Sequence, residues 1–244
     1  MAEVWRARHV GQNVAVAIKF ARKLAGASSD SRRRFREEVR AQAGLIHPGI
    51  AQVYDYGRTA SRSFDDGEEQ IPAGTPYLVM EYAPDGTLHE RPPLRNWPSL
   101  QSTLIMILDA LAHGHARGVV HRDLKPSNIL RFSADGAVQP KLADFGLAHL
   151  SDRRVAEEGE EFVHPTAGTP DYMSPEQFHG KWRRFGPWTD LYQLGAIAWE
   201  WATRTNIFSA ENWLQTAIKH TKKPLPDFEP DFPLPRSFEP WLRK

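Results

Sequence analysis

The feature that most constrains the fold is a pair of polar motifs separated by two short apolar runs. The first motif, HRDLKPSN, ends at Asn128, and the second, DFG, begins at Asp144. The apolar runs cover residues 129–132 and 138–143, and an Asp-Gly pair lies between them. Two such runs joined by Asp-Gly are typical of a β-hairpin. The pattern therefore predicts that Asn128 and Asp144 lie side by side at the open end of paired strands.

The two motifs carry side chains suited to a phosphate bound to a metal. The carboxylate of Asp144 and the amide oxygen of Asn128 suit Mg2+, a hard cation that keeps several waters and shares substrate phosphates. Asp123 precedes them in the same loop and could orient a hydroxyl, and Lys125 could neutralise charge on a phosphoryl group. The alternative is a polar loop whose Asp and Asn residues only cap turns.

Together the motifs resemble the catalytic and metal-binding loops of eukaryotic-like Ser/Thr protein kinases. The stretches HPGI, VVHRDLKPSNIL and SPEQ resemble bacterial members of this family more than animal ones. The resemblance implies that Asp123 is the catalytic base, that Lys125 contacts the transferred phosphate, and that Asn128 and Asp144 bind Mg2+. These roles come from the general scheme of phosphoryl transfer in kinases. ATP and Mg2+ are the implied cofactors, and protein substrates with Ser or Thr hydroxyls are the implied partners.

An alternating segment near the N-terminus supports the same resemblance. In residues 14–20, the small Ala17 and the charged Lys19 share one face of a predicted strand. The segment resembles the third strand of the kinase small lobe, in which the alanine makes room for adenine and the lysine holds the phosphates of the nucleotide. A lysine placed on an edge strand for solubility is the alternative.

A helix is predicted over residues 28–46, with an apolar stripe at Phe35, Val39 and Ile46. Glu38 lies beside this stripe, whereas its neighbour Glu37 is turned about 100 degrees away. By the resemblance, Glu38 is therefore the candidate for an ion pair with the strand lysine.

The remaining nucleotide-binding residues follow from position in the family. A strand over residues 77–80 leads into a segment similar to the hinge, in which the backbone of Glu81 and Ala83 would bind adenine and Met80 would be the gatekeeper. Val4 would cover the adenine, and Leu130 is counted with the residues of the same pocket.

The segment after DFG resembles the activation and substrate-facing loops. The stretch GTPDY contains Thr169, which together with the lysine of the catalytic loop points to serine and threonine acceptors. An acid- and arginine-rich stretch covers residues 151–166, and an arginine directly precedes the catalytic aspartate. Such kinases order this loop by phosphorylation. Thr166 is the first candidate for that phosphorylation and Ser151 the second.

The expected architecture is an α+β, bilobal, protein-kinase-like fold. Residues 1–83 would form a small antiparallel sheet with one helix and the hinge, and residues 84–244 a larger, mainly helical lobe. The chain starts after the position of the glycine-rich loop of the family and stops before its last helices. We therefore expect a catalytic domain truncated at both ends.

The composition of the chain narrows the classes of partner, metal site and location that remain. The chain has 31 basic and 30 acidic residues and a net charge of +1, so no overall field attracts nucleic acid. It has no cysteine, which excludes disulfides and cysteine-ligated zinc. No stretch is apolar enough to span a membrane and the start does not resemble a signal peptide. We expect no nucleic-acid partner, no membrane segment in this chain and a cytoplasmic location.

Three functions are compatible with these observations. The leading one is an ATP- and Mg2+-dependent protein Ser/Thr kinase. The second is a pseudokinase or scaffold that binds partners without turnover, which the complete set of site residues disfavours and the missing glycine-rich loop favours. The third is a small-molecule phosphotransferase of related fold, which the GTPDY stretch and the Ser-Pro-Glu segment after it disfavour.

Overall fold

The chain folds into a small antiparallel sheet with one helix, followed by a larger and mainly helical part. The computed structural model describes residues 3–25, 29–60, 71–93, 95–134, 137–145, 169–180 and 184–244. This arrangement confirms the predicted α+β class and the order of its two parts. The predicted boundary at residue 83 stays a prediction.

Four strands form the N-terminal sheet in the order β1-β2-β4-β3. They are β1 (Glu3–His9), β2 (Val14–Phe20), β3 (Val53–Arg58) and β4 (Pro76–Glu81). Apolar residues alternate along β2, so Val16 and Phe20 are buried on one side of the sheet. Asn13, with φ 57°, lies in the tight connection between β1 and β2, and asparagine tolerates this left-handed conformation better than most residues.

Helix α1 spans Ser29–Ala43 and packs its apolar stripe on the sheet. Phe35 and Val39 are buried, as predicted. The prediction for Ile46 was wrong, because this side chain is 75% exposed and Leu45, at 1%, takes the buried position instead. The helix ends before the poor helix former at position 44, so the helical period cannot be extended to residue 46.

The C-terminal part contains five α-helices among the described residues. They are α2 (Trp97–His115), α3 (Pro175–Phe178), α4 (Pro187–Thr203), α5 (Trp213–Lys222) and α6 (Phe238–Leu242). Asn96 caps α2 by accepting the Ser99 N–H at 2.9 Å. In the described ranges, no helix combines the length and the apolar character that a bilayer crossing requires.

The main hydrophobic core lies between α2, α4 and a β-hairpin. Its fully buried members include Ile107 and Leu111 from α2, Ile197 from α4, and Leu124 and Phe145 from the two polar motifs. The motif residues are therefore anchored by apolar neighbours within the core of the helical part.

The hairpin between the motifs is present as predicted. It consists of β5 (Ile129–Ala134) and β6 (Ala137–Leu142), paired antiparallel along their whole length. At its open end the Ala143 N–H donates to the Asn128 carbonyl at 2.9 Å. This contact brings the backbone at Asn128 next to Asp144, which follows directly.

Backbone hydrogen bonds connect each strand of the hairpin to an earlier segment of the chain. The Leu142 N–H donates to the Gly49 carbonyl at 2.8 Å, and the Leu142 carbonyl accepts the Ala51 N–H at 2.9 Å. On the other strand the Ile129 carbonyl accepts the Leu88 N–H at 2.8 Å. The hairpin is thus bonded to segments before and after β4.

Candidate active site

A buried aspartate on α4 holds the backbone of the first motif. Asp190 has no solvent exposure, and its carboxylate accepts the N–H groups of His121 at 2.8 Å and Arg122 at 2.7 Å. His115 Nε2 contacts the same carboxylate at 2.7 Å. Arg122 has φ 67°, a left-handed conformation that persists only where the surroundings fix it. Asp190 therefore sets the path of the chain just before Asp123.

Two glutamines support the same loop and were missed from the sequence. Gln193 Oε1 accepts the Leu124 N–H at 2.9 Å, and its Nε2 donates to the Arg122 carbonyl at 3.2 Å. Gln177 Nε2 donates to that carbonyl at 2.7 Å. Gln193 follows Asp190 by nearly one helical turn, a signal that could have found it. Nothing local indicates Gln177.

The structure brings three of the predicted site residues into direct contact. Lys125 Nζ lies 2.9 Å from Asp123 Oδ2. Asn128 Nδ2 donates to the Asp123 carbonyl at 2.8 Å and to Asp123 Oδ2 at 3.0 Å. Within the described part of the chain, no donor contacts Asp123 Oδ1. This second oxygen is available to accept a hydrogen bond from a bound hydroxyl.

Asp144 lies at the end of the hairpin and meets the lysine of β2. Lys19 Nζ is 2.6 Å from Asp144 Oδ2, and both side chains are less than one fifth exposed. Asp144 has φ 68°. The backbone before it is fixed by His121 Nε2, which donates to the Ala143 carbonyl at 2.9 Å. The strand lysine and the second motif, 125 residues apart in sequence, thus share one site.

The ion pair expected between Lys19 and Glu38 is not formed. Glu38 is half-buried and directly precedes the buried Val39 of α1. Among the described residues, however, the ion-pair partner of Lys19 is Asp144. Lys19 therefore connects β2 to the second motif rather than to α1.

The strand register places four predicted nucleotide-binding residues on one face of the sheet. Val4 lies directly opposite Lys19, and Met80 directly opposite Ala17. Directly opposed residues of antiparallel strands project to the same face. Ala17 and Met80 are buried, whereas Val4 is 57% exposed. The face beside Lys19 therefore combines two buried side chains, Ala17 and Met80, with an exposed apolar side chain, Val4.

The segment after β4 keeps a free backbone donor. The Ala83 N–H has no acceptor among the described residues. Two contacts fix the Glu81 side chain, because its carboxylate lies 2.6 Å from Lys141 Nζ and accepts the Gln52 N–H. Leu130 is half-buried and pairs with Lys141 across the hairpin. The chain thus offers an unpaired N–H beside apolar side chains, which suits a flat heterocycle with a ring nitrogen.

Thr169 lies at the start of a short turn that is anchored in the helical part. It is half-buried, and within the described ranges its side chain forms no hydrogen bond with the catalytic loop. The Tyr172 hydroxyl donates to Glu200 Oε2 at 2.7 Å, and Asp171 accepts from Asn206 at 2.9 Å. Burial raises the pKa of both Tyr172 and Glu200. Gly146, Ser151 and Thr166 lie outside the described residues.

The residues present fit a magnesium ion. Asp144 Oδ1 is buried and has no partner in the described part of the chain, an unfavourable state for a carboxylate oxygen unless a cation neutralises it. Asn128 uses its Nδ2 for Asp123, which leaves its amide oxygen as a ligand. The described residues include no group of three or more His, Asp or Glu side chains that could hold a metal. Two protein ligands completed by phosphates and water agree with Mg2+.

Comparison with known proteins gives consistent matches over nearly the whole chain. A family model described as "Protein kinase domain" matches residues 1–244. Serine/threonine-protein kinase PknA of Mycobacterium tuberculosis is 35% identical over 237 residues, which are 96% of this chain and 51% of PknA. Serine/threonine-protein kinase PknB of the same organism is 34% identical over 233 residues, 93% of this chain and 34% of PknB. The chain thus spans about half the length of the first relative and about a third of the second.

Proposed function

Because the chain belongs to the protein kinase domain family, we propose that it is a serine/threonine kinase that transfers the γ-phosphate of ATP to hydroxyl groups of protein substrates. The observation that carries the proposal is the convergence of Lys19 and Asp144 with the contacting trio Asp123, Lys125 and Asn128. The resemblance to two relatives named as serine/threonine kinases supports it.

The nucleotide would bind against the sheet face that carries Lys19. The unpaired Ala83 N–H would donate to the adenine, and the buried Ala17 and Met80 would line its faces. Lys19 would exchange part of its contact with Asp144 for the phosphates. Asn128 and Asp144 would hold Mg2+, which when bound neutralises charge on the phosphate oxygens.

The proton of the acceptor hydroxyl would pass to Asp123. Its Oδ1 has no donor among the described residues, while Oδ2 is fixed by Lys125 and Asn128. As the hydroxyl oxygen forms its bond to phosphorus, the bond from phosphorus to the leaving ADP breaks and Asp123 receives the proton. Lys125, 2.9 Å from Asp123, would stabilise negative charge that develops on the phosphoryl group.

The proposed acceptors are serine and threonine side chains of proteins. The support is Thr169 in the GTPDY stretch, on a turn held by the Tyr172–Glu200 hydrogen bond, together with a lysine in the catalytic loop. A turn that is fixed in this way suits the binding of an extended peptide rather than of a small molecule.

The test compares the protein with an Asp123→Asn variant, using labelled ATP, Mg2+ and a basic protein as acceptor. Asp227→Asn is the matched control, because it makes the same chemical change at an exposed position far along the chain. We expect label transfer by the protein and the control, and a loss of at least about 100-fold for Asp123→Asn.

Two outcomes would contradict the proposal. Equal transfer by Asp123→Asn would remove this residue from the reaction. Tight MgATP binding without any transfer by the unchanged protein would favour the second candidate, a pseudokinase or scaffold. In the structure, the pairing of Lys19 with Asp144 rather than with Glu38 favours that alternative.

A further inference from the structure

Arg6 of β1 lies on the sheet face that carries the proposed nucleotide site. It is directly opposite Ala17 of β2, and Ala17 is directly opposite Met80 of β4. Directly opposed residues of antiparallel strands project to the same face. Arg6 therefore belongs to the same row as the two buried side chains that we assign to the adenine.

The register along β1 separates the base end of this face from the phosphate end. Val4 is directly opposite Lys19, the residue that we assign to the phosphates, and Arg6 follows Val4 by two positions. Two residues of a strand span roughly 7 Å. The backbone of Arg6 is therefore displaced from the phosphate end towards the base.

An aromatic ring holds the guanidinium of Arg6 at the base end. Its central carbon Cζ lies 5.0 Å from the centroid of the Tyr82 ring, within the range of a cation–π contact. Tyr82 is half-buried and directly precedes Ala83, whose unpaired N–H we assign to the adenine. Leu78 is the residue of β4 opposite Lys19, so Tyr82 lies four positions beyond the phosphate end. The ring thus keeps the cation beside the base rather than beside the phosphates.

The N–H groups of this guanidinium are not used by the protein. Across the parts of the chain that the structure describes, Arg6 has neither a hydrogen-bond acceptor nor a carboxylate partner. The residue is exposed, and the apolar Val4 on the same strand is 57% exposed, so this side of the site is open. A guanidinium is planar and weakly hydrated, and it stacks on flat rings. A flat base in the site would therefore gain a contact with Arg6.

We propose that Arg6 is a further nucleotide-binding residue, which covers the exposed side of the base and makes the affinity of the site depend on a flat heterocycle. The inference rests on the proposed function, since it adds a specificity residue to the same nucleotide site. Tyr82 holds the guanidinium in place, and the base gains a contact surface besides Ala17 and Met80. Removal of the guanidinium then weakens ligands that contain adenine and spares ligands that contain only phosphate.

The test compares three ligands on variants of Arg6 and Tyr82. Arg6→Met keeps the unbranched stem and removes the guanidinium, Arg6→Lys keeps the charge without the planar group, and Tyr82→Leu removes the ring. Arg8→Met is the matched control, because Arg8 is exposed on the same strand and its replacement makes the same change of charge. Calorimetric titration measures the affinity for adenosine, for ADP with Mg2+ and for inorganic pyrophosphate with Mg2+. Thermal unfolding without ligand measures the stability of each variant.

We expect Arg6→Met to bind adenosine and MgADP roughly threefold to fivefold more weakly, with unchanged pyrophosphate affinity and an unchanged unfolding temperature. Arg6→Lys should recover little of the loss, because an ammonium stays hydrated and does not stack. In the Tyr82→Leu background, Arg6→Met should have a smaller effect, since the two side chains act as a pair. Arg8→Met should equal the unchanged protein with all three ligands.

Three results would overturn the inference. Losses of MgADP and pyrophosphate affinity that Arg8→Met shares would show that positive charge on the strand attracts phosphate in general. Unchanged adenosine affinity in Arg6→Met would show that Arg6 does not contact the base. Equal losses for all three ligands with a lower unfolding temperature would show that the contact with Tyr82 only stabilises the fold. If the unchanged protein binds neither adenosine nor MgADP, the proposed function itself fails and the inference fails with it.

Discussion

At the scale of single residues, the site depends on charged groups whose partners are backbone atoms or other site residues. Asp190 accepts two backbone N–H groups of the catalytic loop while fully buried. Hydrogen bonds to an ionised acceptor are roughly twice as strong as neutral ones. The geometry at Asp123 therefore derives from a side chain 67 residues later in the sequence.

Replacing Asp190 by asparagine is predicted to destabilise the protein and to weaken the reaction. The amide can accept only one of the two N–H groups and directs its own donor at the other. We expect the free energy of unfolding in urea to fall by about 2–4 kcal/mol. The exposed Asp227→Asn change should alter it by less than about 0.5 kcal/mol. A loss of similar size in both variants would contradict the structural role of Asp190.

The unpaired carboxylate oxygen of Asp144 leads to a prediction about the metal dependence of nucleotide binding. Its Oδ1 is buried without a partner, and we assign that oxygen to Mg2+. In the unchanged protein, removal of Mg2+ by a chelator should weaken ADP binding at least about tenfold. In Asp144→Asn the affinity should be low with or without Mg2+. A full metal response in the variant would remove Asp144 from the metal site.

At the scale of elements, helix ends and the hairpin decide where the site residues lie. Helix α2 leads into the catalytic loop. Asn96 caps the start of this helix by accepting the Ser99 N–H. Asn212 begins α5 in the same way, with the Gln215 N–H at 3.0 Å. Each cap satisfies one of the N–H groups that the first turn of a helix leaves unpaired.

Removal of the α2 cap is predicted to cost about 1 kcal/mol of folding free energy. Asn96→Ala takes away the acceptor for the Ser99 N–H, whereas Asn96→Ser keeps one. Chemical denaturation of the two variants measures the difference. If serine and alanine destabilise equally, the effect is lost packing rather than lost capping.

Local signals were enough for some elements and failed for others. The hairpin was predictable because two apolar runs and an Asp-Gly pair lie next to each other in the chain, and it fixes Asn128 near Asp144. The buried stripe of α1 was predictable from its period up to Val39. Its last member was not, because the chain leaves the helix after Ala43, where the choice between Leu45 and Ile46 is made by the core.

The partners of the site residues depend on tertiary structure and could not be predicted. Lys19 pairs with Asp144 rather than Glu38 because the second motif reaches the lysine at 2.6 Å, a distance that no sequence spacing encodes. Gln177 reaches the Arg122 carbonyl only through the fold of the segment before α4. For both contacts, the residues lie more than 50 positions apart.

At the scale of the whole molecule, the helical part contains a buried histidine that makes stability depend on pH. His220 is 5% exposed, and its Nδ1 lies 2.7 Å from the Tyr192 hydroxyl. Burial lowers the pKa of His220 from 6.5 to about 4. The folded protein therefore keeps this ring neutral at pH values where the unfolded chain already protonates it.

The direction of the pH effect follows from this difference. Between about pH 6.5 and pH 4 the unfolded state binds the extra proton, so stability contributed by His220 is complete above this window and falls as the pH decreases through it, by at most about 3 kcal/mol. His220→Gln, which cannot titrate, should show a flatter decline over the same window. Urea unfolding of both proteins from pH 7.5 to pH 4 checks this. Parallel curves would show that other groups cause the decline.

The hydrogen bonds that tie the β5–β6 hairpin to both neighbouring segments have a mechanical consequence. Leu142 is bonded to Gly49 and Ala51, Ile129 is bonded to Leu88, and Lys141 holds Glu81. The hairpin is thus bonded to both neighbouring segments, and Asn128 and Asp144 lie at its open end. Because the Ala143 N–H is bonded to the Asn128 carbonyl, the spacing of these two side chains is set within the hairpin and does not depend on the segments that flank it.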